Sequence, residues 1–171
     1  MLRRTNVLLP RVLVASLTAV LITALATPAA AAPPRELSGT FGLVGSEPGP
    51  ERIVGNGKVV FIESVILAVL EGDLVSTEPN REQSICKTLV HRGTTRCHGT
   101  VTFTGTVAGI EGEGTLTSRT QLACDLSTYT CTGRNVVVQG TGALAGVRGQ
   151  TAITVDLSTG TGTYTSSLTG T

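Results

Sequence analysis

Apolar and polar positions alternate with a period of two along much of this chain. Val101, Phe103, Gly105 and Val107 fall on one side, and Thr100, Thr102, Thr104 and Thr106 fall on the other. Successive side chains of a pleated strand point to opposite faces, so the pattern is that of a half-buried strand. Similar runs predict strands over 37–44, 58–70, 74–77, 83–90, 95–107, 114–124, 131–139, 150–157 and 161–168. Pro48-Gly49-Pro50 is expected to end the first, because proline cannot donate to a ladder. No segment after the leader carries sustained apolar spacing of 3.6 residues with capping signals, so no helix is predicted there. Short strands at close intervals point to an antiparallel barrel or sandwich. Closure would remove the exposed edges that such threonine-rich strands otherwise present.

The first thirty or so residues obey a different rule. Arg3, Arg4 and Arg11 precede an apolar stretch over 12–26, and the small residues Ala24, Ala26 and Ala29 to Ala32 follow. This is the order of a secretory signal peptide, here of the Sec type, with Asn6 arguing against twin-arginine export. The stretch is short for a membrane span and no stop-transfer signal follows it. We therefore expect a signal peptide over 1–31, a linker over 32–36 and one β-barrel domain over 37–171. Such a chain is secreted, with no membrane attachment after cleavage.

Removing the leader changes the charge balance. Thirteen basic residues less the three in the leader leaves ten, against twelve acidic, a formal net of −2. Binding nucleic acid requires a basic stripe that displaces counterions from phosphate, and the remaining sequence has none. There is no tryptophan, and only three phenylalanines and two tyrosines, which disfavours aromatic platforms for sugars or single strands. No phosphate loop, dinucleotide fingerprint or nucleophile elbow occurs, and no cofactor is expected.

All four cysteines, Cys86, Cys97, Cys124 and Cys131, follow the leader. An even count in an oxidising compartment argues for two disulfides. Three pairings are possible, and spacing favours Cys86–Cys97 with Cys124–Cys131, each bracketing a hairpin turn. A zinc site using His91 or His98 is the rival, but no Cys-x-x-Cys pair is present, and no metal is expected.

Gly140-Thr141-Gly142-Ala143-Leu144-Ala145-Gly146-Val147-Arg148-Gly149 packs four glycines around a short aliphatic plug. Glycine takes positive φ without steric cost, so the segment reads as a sharp bend between close-packed backbones. It resembles the signature of the bacterial allene-oxide-cyclase-like barrel proteins, many of unknown function; plant dirigent proteins carry a looser version. Phe103-Thr104-Gly105-Thr106-Val107-Ala108-Gly109 with Gly112 and Gly114, and Tyr164 in the closing strand, extend the resemblance. It implies a structural turn built by Gly140, Gly142, Gly146, Arg148 and Gly149. It also implies an eight-stranded, slightly conical barrel whose interior can hold a small apolar molecule. Arg148 is expected to bond carbonyls across the bend.

Glu63 is the candidate catalytic residue. It interrupts the apolar run Val59, Val60, Phe61, Ile62, Val65 and Ile66, and inside a barrel its charged form would be disfavoured, as in a general acid or base. Pointing outward beside Phe61 it would do nothing of the kind. Glu111 with Glu113, and Glu71 with Asp73, read as solvated turns, and Tyr129 as a hairpin tip. The leading expectation is an exported barrel of unknown activity that holds an apolar ligand. A cyclase or isomerase of the allene-oxide-cyclase type is the alternative, and a structural or adhesive envelope protein is a third. A polar cluster around Glu63 in an open lumen would favour the enzyme. A lumen filled by aliphatic side chains would favour the structural protein, and an open, wholly apolar lumen a carrier.

Overall fold

A computed structural model describes residues 33–170, so the signal-peptide expectation falls on residues outside those described. Nine strands account for most of them: β1 (Arg35–Val54), β2 (Val59–Gly72), β3 (Leu74–Ser76), β4 (Asn80–Leu89), β5 (Thr94–Val107), β6 (Gly114–Asp125), β7 (Thr130–Gly142), β8 (Arg148–Asp156) and β9 (Thr161–Thr169). The helical content among the described residues is one 3-10 turn, Val90–Arg92, in the β4–β5 connection. Among those residues no helix is long and apolar enough to cross a membrane.

Every strand pairing is antiparallel, and the ladders run full circle. The order β5-β4-β2-β1-β9-β8-β7-β6 returns to β5 through a β5–β6 ladder, giving a ring of eight. β3 extends the β4 side of the ring, pairing Leu74 to Ser76 with Gly105 to Val107 of β5. Register partners followed around the ring from Leu37 run through Ser166, Thr151, Asn135, Thr120, Gly99, Ser84 and Ser64 to Pro48. The circuit returns to β1 well along the strand from its start. That stagger is what tilted strands require when a sheet closes on itself.

β1 differs from expectation at both ends. β1 begins at Arg35, inside the expected linker, because Arg35 and Glu36 pair with Leu168 and Ser167 of β9. It also runs through Pro48-Gly49-Pro50, which forms a bulge between the pairs Pro48–Ser64 and Glu51–Ile62. β9 pairs with β1 only as far as Gly42, so the prolines lie on a free edge where no donor is needed.

The connections at one end pack inward. Leu144 and Val147 from the β7–β8 turn are 0% exposed and cluster with Leu37, Leu74, Val107, Leu116 and Leu168. Leu144 and Val147 of the glycine segment thus fill this end of the ring. Gly142 has φ +61°, and a Cβ on Gly140 would collide with the Leu144 carbonyl. Arg148 departs from expectation: its Nη1 donates to the carbonyl of its neighbour Val147 at 2.8 Å, not across the bend.

Candidate functional site

The inward faces of the strands enclose a cavity of about 290 Å³. That is near the lower end of small-molecule sites. Ile66, Ala68, Val101, Phe103, Leu122 and Ile153 are among its lining residues, and the alternation read in 95–107 is confirmed by Val101 and Phe103. With one end plugged, the opening lies at the other. Leu43, Leu126 and Leu157 line the cavity yet are 36, 36 and 39% exposed, which places them at its mouth.

Leu126 and Leu157 occupy equivalent places. Asp125-Leu126-Ser127-Thr128 and Asp156-Leu157-Ser158-Thr159 repeat one four-residue turn at the β6–β7 and β8–β9 connections. In each, the aspartate Oδ1 accepts from the serine N–H at 2.8 Å and from its hydroxyl at 2.6 Å. Those hydrogen bonds hold both carboxyls below their ordinary pKa. The polar residues fix the turn, and the leucine between them overhangs the lumen.

Both disulfides form as spacing predicted. Cys86–Cys97 and Cys124–Cys131 join register partners on β4–β5 and β6–β7. With all four sulfurs bridged, none is left to ligate zinc. All four cysteines also line the cavity.

Deeper in, polar side chains interrupt the mostly apolar interior, with Asn135 and Thr151 reaching the cavity itself. One course of register partners carries Ser64, Ser84, Thr120, Asn135, Thr151 and Ser166 on the interior face. Ser64 meets Ser84 at 3.5 Å, and Thr151 meets Ser166 at 2.8 Å. One inward-facing position closer to the plug, Glu82 of β4 and Ser118 of β6 flank Val101 in register. Asn80 follows on the same face of β4, its Nδ2 donating to Ser76 Oγ at 2.9 Å.

Four buried side-chain oxygens among the described residues lack a hydrogen-bond partner: Asn80 Oδ1, Glu82 Oε1, Thr120 Oγ1 and Asn135 Oδ1. All belong to this interior region, and Asn80, Glu82 and Asn135 line the cavity. Burial pushes the Glu82 carboxyl up to about 7, since removing the charged form from water is costly.

Glu63 is not part of this arrangement. It is exposed, stands opposite Ile85 on the outer face, and does not line the cavity. The parity of β2 decides it: Ile66, Ala68 and Leu70 face inward, so the odd-numbered Glu63 faces out. The run around Glu63 is apolar because both faces of β2 are half-covered, which hides the period. His91, His98, Glu71, Glu111, Glu113 and Tyr129 are exposed too. Asp73 is spent on the Ser38 N–H at 2.8 Å.

Glu82 lies one residue before the strand expected over 83–90. Cys86 would have located it, because Cys86, Ser84, Glu82 and Asn80 share one face of a strand that runs on to Asn80. The repeated Asp-Leu-Ser-Thr was likewise visible in the sequence and marks the two lips of the mouth.

No protein-family model matches the chain, and no curated protein does. Among solved structures it resembles a protein of unknown function of the DUF3224 family from Shewanella oneidensis MR-1. The two share 19% identity over 79% of this chain and 96% of the other, with a TM-score of 0.60. At that identity the likeness is one of fold.

Proposed function

We propose that this protein is an exported β-barrel that binds a small, largely apolar molecule in its lumen. One observation carries the reading: a cavity of about 290 Å³ inside the ring, plugged at one end and lipped by exposed leucines at the other. A purely structural protein gains from filling its core, since interiors pack densely and each void forfeits contacts. The leader pattern of residues 1–31 and the two disulfides support export.

A cyclase or isomerase of the allene-oxide-cyclase type is the second reading, and Glu82 favours it. A carboxyl near 7 in an apolar lumen is suited to proton transfer at neutral pH. Both readings require ligand entry, so binding is the first test. Titration with the apolar fluorophore N-phenyl-1-naphthylamine should give saturable enhancement, lost in Val101→Phe, which fills the lumen. Absence of saturable enhancement, or enhancement unchanged in the variant, would overturn the reading.

A further inference from the structure

We infer that the lumen selects apolar molecules whose polar end is a hydrogen-bond donor, with a primary amine preferred, and that Glu82 receives that end. The inference rests on the ligand-binding reading above and adds the chemical class of the ligand.

The partnerless atoms set the class. Asn80 Oδ1 and Asn135 Oδ1 are acceptors, as is Glu82 once its carboxyl ionises above about 7, and β4 and β7 contribute all three to one cavity. Asn80 cannot turn its donor inward without cost, because its Nδ2 is engaged by Ser76 Oγ. A lumen that presents unpaired acceptors is complemented by donors and rejects further acceptors. Buried polar groups without partners also weigh heavily on recognition, since a ligand unable to pair them leaves their desolvation uncompensated.

Charge narrows the class further. The cavity lining contains no lysine, arginine or histidine, and its cysteines are bridged, which leaves Glu82 and Tyr164 as its titratable groups. Tyr164 is tied to the Leu74 N–H through its hydroxyl and is pushed above its ordinary pKa, chiefly by burial, so it stays neutral. Glu82 is thus the sole source of formal charge in the lumen, and that charge is negative. A carboxylate ligand would bring a second negative charge beside it with no cation to compensate. A protonated amine supplies the missing partner, and charge-assisted hydrogen bonds exceed neutral ones in strength. An alcohol takes the same place with a weaker bond. The six apolar lining residues named above accommodate the body of either molecule.

Three ligands of equal chain length separate these cases: hexylamine, hexanol and hexanoate, measured by calorimetric titration of the full protein at about pH 8, above the Glu82 transition. Hexylamine should bind most tightly, hexanol next, and hexanoate not measurably. Glu82→Gln should weaken hexylamine by about tenfold or more, the scale of a charge-assisted bond, and change hexanol by less than about threefold. Glu63→Gln removes an exposed carboxylate of equal charge, so it controls for nonspecific attraction and should leave all three unchanged. The wild-type ranking decides even if Glu82→Gln does not fold. Binding of hexanoate as tight as hexylamine, or equal losses of hexylamine in both variants, would overturn the inference while leaving the apolar lumen standing. If none of the three binds and N-phenyl-1-naphthylamine also fails, it is the ligand-binding reading that falls. If the fluorophore binds and none of the three does, the donor-selective class alone is overturned.

Discussion

Tyr164 lies across Gly39, its register partner on β1, and its hydroxyl reaches the Leu74 N–H at 2.7 Å. The same hydroxyl stands 3.2 Å from the Glu71 carbonyl and 3.3 Å from the Leu74 carbonyl. The ring can pass only because Gly39 has no side chain: a Cβ there would run into both the Glu71 carbonyl and the ring. One residue of the closing strand thereby ties β9 across β1 to the β2–β3 connection, at the plugged side of the lumen.

This contact predicts two unequal losses. Tyr164→Phe removes the hydroxyl and leaves the buried Leu74 N–H without its partner, which costs about 1–3 kcal/mol. Gly39→Ala forces the ring and the backbone apart, an overpacking that costs about 1–3 kcal/mol or more. Chemical denaturation of each variant measures both. If Gly39→Ala is as stable as wild type, the ring does not pass over Gly39 as described.

Glu82 predicts a pH dependence of stability. Its folded pKa of about 7 stands above the ordinary 4.5 expected of the unfolded chain, so between those values the folded state holds the extra proton. Stability from this group is therefore complete below about 4.5 and declines as pH rises through about 7. The shift is worth on the order of 3 kcal/mol. Glu82→Gln cannot titrate, so the difference between variant and wild type should grow in the variant's favour across that window and level off above it. Urea melts from acid to mildly alkaline pH test this, and parallel profiles would show that Glu82 is solvated.

The bridges enclose short loops, with separations of 11 and 7 residues. Loop entropy alone assigns each about 2–3 kcal/mol. Replacing either pair with serines should lower the denaturation midpoint by a corresponding amount. It should also weaken binding of N-phenyl-1-naphthylamine, because both pairs line the cavity. Serine pairs that leave stability intact would mean the bridges do not form in the native protein.

Strands were legible wherever one face meets the lumen and the other meets water. That condition holds for β5, where threonine alternates with Val101, Phe103, Gly105 and Val107. It fails for β2, whose two faces are both half-buried, and there the sequence offered Glu63 an interior place it does not have. The cysteine pairs were legible because a hairpin puts equidistant residues opposite each other. The polar course was not, since Ser64, Ser84, Thr120, Asn135, Thr151 and Ser166 come from six strands and are united only by register. Serine and threonine are also common on this chain's outer face, so their identity alone says nothing of direction.

The mouth provides the remaining prediction. Leu126 and Leu157 sit at the second position of two identical turns, each held by its aspartate–serine hydrogen bonds. The leucines themselves are 36 and 39% exposed, so the turn geometry does not depend on their burial. Replacing both with serine should change stability by less than about 0.5 kcal/mol each, the range of surface positions. A ligand in the lumen, however, covers part of each leucine against its own apolar surface. Losing those contacts costs roughly 0.5–1 kcal/mol per leucine at the area coefficient for apolar burial, which weakens binding by about fivefold to thirtyfold for the pair. The double variant should therefore melt near wild type while its affinity for N-phenyl-1-naphthylamine falls. Asp125→Asn with Asp156→Asn acts differently, loosening the turns and removing two carboxyls of lowered pKa. Groups with depressed folded pKa stabilise above their unfolded value and lose that contribution as pH falls, so acid sensitivity should diminish in that pair and not in the leucine pair. Unchanged fluorophore affinity in the leucine variant would place the entrance to the lumen elsewhere.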